Sequence, residues 1–222
     1  MSISDSTAER YTAHDPDVRL MLRVRDDDAA AFEELMLRYQ NRVVSLLAHL
    51  TRHQDIAEDL AQDVFLRVYR ARKKYVPGAK FSTWLFTIAH NVAANARRTL
   101  ARRHEVQPAP QPGGGDSGAN ALEAAAVAAS GLMPARQIEK LELRDVVNMA
   151  VAALSERQRE AVLLNKFEHL SYEEIAEVMQ LTPSAVKSLL TRARANLRDV
   201  IEPYLQQGVK ATGSAGGPPS VG

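Results

Sequence analysis

Residues 55–103 read DIAEDLAQDVFLRVYRARKKYVPGAKFSTWLFTIAHNVAANARRTLARR, and the charges of this stretch are separated by sign. Acidic residues stand at its start, whereas Val64 to His104 contains none. The acidic residues are Asp55, Glu58, Asp59 and Asp63, and the cations that follow are Arg67, Arg70, Arg72, Lys73, Lys74, Lys80, Arg97, Arg98, Arg102 and Arg103. Tyr75, Phe81, Trp84 and Phe86 lie among these cations. Because cations bind phosphates and aromatic faces stack on unpaired bases, the stretch predicts a surface for a basic protein followed by one for nucleic acid.

Apolar residues at three- and four-residue spacing predict four helices over residues 15–104. The longest stripe comprises Phe32, Leu35, Met36, Tyr39, Val43, Leu46, Leu47 and Leu50. Asp15 before Pro16 predicts a helix start, and Asp55 with Glu58 predicts a capping box for the acidic helix. Ser82 is predicted to cap the basic helix.

Residues 105–133 are rich in Pro, Gly and Ala, which predicts a flexible linker. The helical pattern resumes over residues 134–204, and no strand pattern appears anywhere in the chain. We expect disordered ends over residues 1–14 and 205–222. The predicted fold class is therefore all-α, with two small helical domains, a four-helix bundle and a C-terminal helix-turn-helix, joined by a flexible linker.

The second helical segment contains a helix-turn-helix pattern over residues 172–198. Ser171 with Glu174 forms a capping-box pattern, and Thr182-Pro183 begins the final helix. Gln180 stands in the turn, where it must accept a left-handed backbone conformation. The outward face of the final helix carries Ser184, Lys187, Ser188, Thr191 and Arg192, which suit the major groove and its phosphates. A plain helical hairpin is the alternative interpretation.

Composition excludes several classes of protein. The chain has 222 residues, 45% of them hydrophobic, a formal net charge of +1 and no cysteine, so neither a disulfide nor a thiolate metal site is expected. The histidines do not cluster at metal-ligand spacing, and no nucleophile–base pair or Gly-rich phosphate loop is present. We expect no cofactor, no enzymatic activity and no membrane insertion. The N-terminus lacks the apolar core of a secretory signal, which favours the cytoplasm.

Five segments of the chain resemble extracytoplasmic-function (ECF) sigma factors of bacterial RNA polymerase. Residues 55–65 (DIAEDLAQDVF) resemble the region 2 helix that docks on the polymerase clamp, and residues 80–91 (KFSTWLFTIAHN) resemble the segment that melts the −10 element. Residues 154–164 (LSERQREAVLL), 170–176 (LSYEEIA) and 186–198 (VKSLLTRARANLR) resemble region 4, which reads the −35 element.

The resemblance implies three sets of functional residues and several partners. The core polymerase set is Asp55, Asp59, Gln62, Asp63 and Phe65. The −10 DNA set is Lys73, Lys74, Tyr75, Lys80, Phe81, Ser82, Trp84, Asn91, Arg97 and Arg98. The −35 DNA set is Ser171, Tyr172, Ser184, Lys187, Ser188, Thr191 and Arg192. The implied partners are the clamp and flap of core polymerase, promoter DNA as −35 duplex and −10 single strand, and an anti-sigma factor.

Some interpretations stay open at this level. Trp84 could be a core residue instead of a platform for bases, and Asp59 and Asp63 could form an ordinary solvated face. The main alternative function is a stand-alone helix-turn-helix transcriptional regulator, in which the N-terminal bundle senses a signal or dimerises. Against it, a sensor bundle has no evident need for ten cations and no acidic residue between Val64 and His104.

Overall fold

A computed structural model describes residues 5–106 and 145–213, and every regular element within these ranges is helical. In order, the helices are α1 Asp5–His14, α2 Pro16–Arg25, α3 Ala29–Thr51, α4 Ala57–Ala71, α5 Phe81–Val106, α6 over residues 145–153, α7 Glu156–Lys166, α8 Tyr172–Met179 and α9 Pro183–Gly213. A short 3-10 helix, Arg72–Lys74, extends α4. The predicted all-α fold class is confirmed. Most of the predicted linker, residues 107–133, lies outside the described residues.

Helices α2 to α5 enclose a core built from the apolar stripes of the sequence. Its largest fully buried side chains include Met21, Leu35, Leu47, Leu85 and Phe86. Each comes from a helix whose opposite face carries charged residues, as expected for amphipathic helices around one core. The predicted stripe of α3 agrees with the structure, except that Phe32 and Met36 are only partly buried.

The side chain of Asp15 caps the N-termini of two helices of this bundle, α2 and α5. One carboxylate oxygen of Asp15 accepts hydrogen bonds from the backbone N–H groups of Asp17 and Val18, at 2.9 and 3.4 Å. The other oxygen accepts from the N–H of Phe81 at 3.0 Å. The predicted cap of α2 is thus confirmed, and the same side chain also caps α5.

Two predicted caps are wrong. The first residue of α4 is Ala57, and its N-cap, Ile56, makes no side-chain capping bond, so Asp55 and Glu58 do not form a capping box. Ser82 lies inside α5, which begins one residue earlier. The sequence pattern favoured Ser82 because a serine hydroxyl often caps a helix that begins next to it. In the structure, the carboxylate of Asp15, which is distant in sequence, instead accepts from the N–H of Phe81, the first residue of α5.

The N-terminus also differs from the predicted disorder of residues 1–14, because Asp5–His14 form α1. Arg19 stabilises the end of this helix by donating hydrogen bonds to the carbonyl oxygens of Thr12 and Ala13. Such a contact satisfies carbonyl groups that a helix end leaves unpaired. At the other end of the chain, α9 continues to Gly213, past the predicted start of disorder at residue 205.

The described residues divide into two compact units. One contains residues 5–106 together with 156–192, and the other contains residues 145–155 together with 193–213. Within the first unit α7 packs on α3, and α8 packs on α5. Helices from both predicted regions therefore share one compact unit. The boundaries predicted for the two domains, 15–104 and 134–204, stay predictions.

Candidate nucleic-acid and protein interfaces

The exposed side of α4 carries the predicted acidic surface. Asp59 and Gln62 are exposed, and Asp63 is partly exposed and lies 2.9 Å from Arg67, one helical turn later. Asp55 precedes the helix with a side chain that is 77% exposed. These four residues form what we call the acidic face. Asp59 also lies in the first turn of α4, where the helix dipole stabilises a negative charge.

Phe65 is placed differently from the other residues of the predicted core polymerase set. Its side chain is 5% exposed and belongs to the core of the bundle. The next residue, Leu66, is 52% exposed and lies on the same helix as the acidic face. The sequence analysis did not select Leu66. Its position between Asp63 and Arg67 on the same helix could have indicated an exposed apolar residue.

Three aromatic side chains of the predicted −10 set pack together between the 3-10 helix and the start of α5. The ring of Trp84 lies 4.9 Å from that of Tyr75 and 6.0 Å from that of Phe81, centroid to centroid. Tyr75 and Phe81 are buried, whereas Trp84 is partly exposed. Burial raises the pKa of Tyr75, and the nearby charge of Asp15 adds to the shift. Among the three, Trp84 alone is not buried.

The polar members of the −10 set lie around this aromatic cluster and along α5. Lys74, Asn91 and Arg98 are exposed, and Ser82 is partly exposed. Lys73 binds Asp27, a residue with a left-handed φ of 69° between α2 and α3. The hydrogen bond from Lys73 holds the pKa of Asp27 below its ordinary value.

The two remaining cations of the −10 set are paired with acidic residues of α7 and α8. The amine of Lys80 lies 2.9 Å from the carboxylate of Glu174. The guanidinium of Arg97 lies 3.5 Å from the carboxylate of Glu156. These pairs join residues that are far apart in the sequence, and sequence reasoning did not anticipate them.

Helices α8 and α9 form the predicted helix-turn-helix. The capping box of Ser171 and Glu174 is present, with hydrogen bonds of 2.8 and 3.2 Å. Gln180 takes the predicted left-handed conformation, at φ 54° and ψ 47°, and the N–H of Leu181 then bonds to the carbonyl of Ala176. The hydroxyl of Thr182 accepts from the N–H of Ala185, which confirms the predicted start of α9.

The predicted −35 face is continuous and open to solvent. All five of its residues on α9 are exposed, namely Ser184, Lys187, Ser188, Thr191 and Arg192. Val186 and Leu190 alternate with them on the buried side of the helix. Of the two residues predicted from α8 and its cap, Ser171 is exposed and Tyr172 is partly buried. A helix of this shape can enter a major groove with its N-terminal half.

Neither a metal site nor a membrane span is found in the described part of the chain. Residues 5–106 and 145–213 hold no group of three or more histidine and carboxylate side chains able to bind a metal ion. Among the same residues, no helix combines the length and apolarity that crossing a bilayer requires.

Family models match both halves of this arrangement. Sigma-70 region 2 matches residues 35–103, which include α4 and most of α5, and Sigma-70 region 4 matches residues 144–197, which include α6 to α8 and the exposed face of α9. The acidic face and the −10 set thus lie in the first match, and the −35 set lies in the second. The chain has the two regions that define RNA polymerase sigma factors of the sigma-70 type.

Comparison with curated proteins identifies the group within this type. The chain is 32% identical over 195 residues to the RNA polymerase sigma-H factor of Pseudomonas aeruginosa, covering 86% of this chain and 96% of that protein. It is 32% identical over 193 residues to the ECF RNA polymerase sigma-E factor of Escherichia coli K12, covering 85% and 95%. This protein belongs to the ECF sigma factors, which direct RNA polymerase to promoters. Such proteins are transcription initiation factors rather than enzymes, and this membership decides against a stand-alone regulator.

Two solved structures share the fold of this chain. The structure of CnrH in complex with the cytosolic domain of CnrY aligns with a TM-score of 0.59 at 22% identity, covering 85% of this chain and 99% of that one. The sigma factor RpoE in complex with the anti-sigma factor NepR from Bartonella quintana aligns with a TM-score of 0.54 at 24% identity, covering 77% and 96%.

Proposed function

We propose that the acidic face of α4 is the surface by which this sigma factor holds core RNA polymerase. Asp55, Asp59, Gln62 and Asp63 offer carboxylates and an amide to a basic partner, and Leu66 adds exposed apolar area among them. Charge complementarity of this kind directs association and register, while the apolar contact contributes to affinity. Phe65 supports this surface from inside the bundle and keeps α4 in position.

The −10 strand lies along the start of α5 and the adjoining loop in this proposal. Lys73, Lys74, Lys80, Arg97 and Arg98 hold phosphates, whereas Trp84 receives an unpaired base on its exposed part. Ser82 and Asn91 supply hydrogen bonds to bases or sugars. The buried rings of Tyr75 and Phe81 act indirectly, because their contacts with Trp84 fix its orientation. Since these contacts favour the single strand over the duplex, binding itself drives melting.

The −35 element is read by α9 as duplex DNA. Ser184, Lys187 and Ser188 occupy the N-terminal half of the helix, where side chains reach base edges. Thr191 and Arg192 lie further along and hold the phosphate backbone. Ser171 and Tyr172, at the start of α8, contact phosphates on one side of the groove.

The observation that carries this proposal is the position of the acidic face within the region 2 match. A direct test measures the affinity of purified core polymerase for the Asp63→Arg variant and for Asp59→Arg. We expect each variant to bind at least about tenfold more weakly, because each places a cation against a basic partner. Asp26→Arg makes the same charge change on a 73% exposed side chain outside α4 and is expected to bind normally. Equal affinities for all three variants would refute the assignment.

Two further elements of the proposal follow from the relatives. The sigma factor RpoE from Bartonella quintana is solved with the anti-sigma factor NepR, and we infer that this chain is also held inactive by an anti-sigma factor that covers its polymerase and DNA surfaces. The place of action is the cytoplasm, where polymerase and promoter DNA lie. Run-off transcription with core enzyme over a promoter library, with and without candidate partner proteins, tests the first point, and fractionation of cells that express the chain tests the second.

A further inference from the structure

We propose that α7 and α8 carry an acidic surface that competes with promoter DNA for the −10 surface of the same molecule. Four contacts between a carboxylate and a basic side chain connect these helices, and the loop between them, to α3, to α5 and to Lys80 just before α5. Three are ion pairs, and the contact of Glu160 with His90 is a hydrogen bond. The pairs are Glu156 with Arg97, Glu160 with His90, Glu168 with Arg42, and Glu174 with Lys80. We call this set the ion-pair interface.

Each side of the ion-pair interface carries one kind of residue, acidic on one side and basic on the other. In all four pairs the acid comes from α7, α8 or their loop, and the basic residue comes from α3, from α5 or, for Lys80, from the position just before α5. A carboxylate beside Lys80 or Arg97 occupies the position that a phosphate of the −10 strand would take. Both cations belong to the proposed −10 set. The inference therefore rests on the proposed function in this one respect.

Two of the four pairs have carboxylates that are almost fully buried. Glu160 is 3% exposed and lies 2.5 Å from Nδ1 of His90, and Glu168 is 6% exposed and accepts from Nε of Arg42 at 2.7 Å. Removing charged groups from water opposes their attraction, so an interface of this kind is weaker than an apolar one of equal size. On separation the buried carboxylates of Glu160 and Glu168 regain water. A polyanion that neutralises the same bases can therefore displace them.

The ion-pair interface neutralises two cations of the −10 set and leaves the −35 face unpaired with it. Lys80 keeps a 54% exposed side chain while paired, so Glu174 neutralises its charge without covering it. The −35 face of α9 remains exposed in the same structure. Free sigma factor in this state can meet −35 duplex, but it binds the −10 strand weakly until α7 and α8 leave α3 and α5.

Chemical crosslinking tests the interface in the unmodified full-length chain. A carbodiimide joins an amine to a carboxylate directly, with loss of water, so it reports pairs in contact. We expect a Lys80–Glu174 crosslink in the monomer, and its loss when mixed-sequence single-stranded DNA is added. The Lys73–Asp27 pair, whose residues both lie outside α7, α8 and their loop, is the positive control for crosslinking in the absence of DNA. Absence of the Lys80–Glu174 product beside the control product, or its persistence under saturating DNA, would overturn the proposal.

Substitution tests the competition. Glu156→Gln with Glu174→Gln removes two charges of the interface, and glutamine at position 174 can still accept the hydrogen bond of the capping box. Glu173→Gln with Glu177→Gln removes two exposed charges of α8 outside the interface. We expect affinity for single-stranded DNA to rise about fivefold in the first variant alone. An equal rise in both would show a general charge effect and overturn the proposal.

The two proposals fail in different ways. If wild-type protein supports promoter-directed transcription with core polymerase while the crosslink is absent, the ion-pair interface is refuted and the proposed function stands. If transcription fails and the crosslink forms, the proposed function is refuted, and the contact is then a structural one between the helices.

Discussion

Asp15 shows how much of this fold depends on one short side chain. It caps α2 through one oxygen and α5 through the other, and α5 is the helix that begins with Phe81 beside Lys80. The cap of α2 is local and follows from the Asp-Pro pattern. The cap of α5 joins residues 66 positions apart and fixes where the −10 surface begins.

We expect Asp15→Ala to lower the free energy of unfolding by about 2 kcal/mol, because two helix N-termini lose a capping acceptor. Asp26→Ala, which removes a 73% exposed carboxylate at the end of α2, is expected to change it little. Urea unfolding of both variants followed by circular dichroism measures the difference. Equal losses would mean that Asp15 acts through its charge and not as a cap.

At the scale of elements, the turn between α8 and α9 uses a residue that is poorly suited to its backbone conformation. Gln180 has a φ of 54°, and this conformation costs a residue with a Cβ atom more than it costs glycine. The hydrogen bonds that end α8 at this position satisfy the carbonyl groups of Ala176 and Glu177. The turn geometry is thus retained without glycine.

Replacing Gln180 by Gly is expected to stabilise the protein by up to about 1 kcal/mol, because the steric cost of the left-handed conformation disappears. The greater conformational freedom of glycine in the unfolded chain offsets part of this gain. Glu177→Gly, three residues earlier and inside α8, is expected to destabilise by about 1 kcal/mol. Thermal unfolding of the two variants should therefore shift in opposite directions. A decrease for Gln180→Gly would show that the glutamine side chain stabilises the turn.

The caps also show where sequence reasoning succeeds. It succeeded at Ser171 with Glu174, at Asp15 and at Thr182, because in each case donor and acceptor lie within a few residues of one another. It was wrong at Asp55 and Ser82, where a suitable residue type stood near a helix start but the packing of distant elements decided the outcome. The burial of Phe65, which was predicted to contact polymerase, has the same reason. A helical pattern does not tell how many residues around α4 are buried by its neighbours.

At the scale of the whole molecule, the sequence predicted both helical regions and the exposed faces of α4 and α9. It did not predict the contacts that α7, α8 and their loop make with α3, α5 and Lys80. Glu160 and His90, for example, are 70 residues apart, and neither has a sequence neighbour that indicates the other. Pairing between distant charges depends on tertiary packing, which local periodicity and capping patterns do not encode.

The distribution of charge matters more for DNA binding than the net charge. A formal charge of +1 would give almost no attraction for DNA if it were spread evenly. Instead, the run from Val178 to Arg198 contains no acidic residue, and Lys187 and Arg192 stand exposed within it. Binding of duplex DNA should therefore depend on local cations and on the counterions that they displace from the DNA.

Duplex binding should consequently weaken steeply with salt, and the slope should report the cations of α9. We expect Lys187→Ala with Arg192→Ala to reduce the slope of log affinity against log salt by about two, one for each lost phosphate contact. Arg19→Ala with Arg67→Ala removes the same charge from α2 and α4, where Arg19 holds the end of α1 and Arg67 pairs with Asp63. Fluorescence anisotropy with labelled duplex over a salt series measures all three proteins. If the control pair reduced the slope as much as the α9 pair, duplex DNA would be attracted by total charge, and α9 would lose its assigned role.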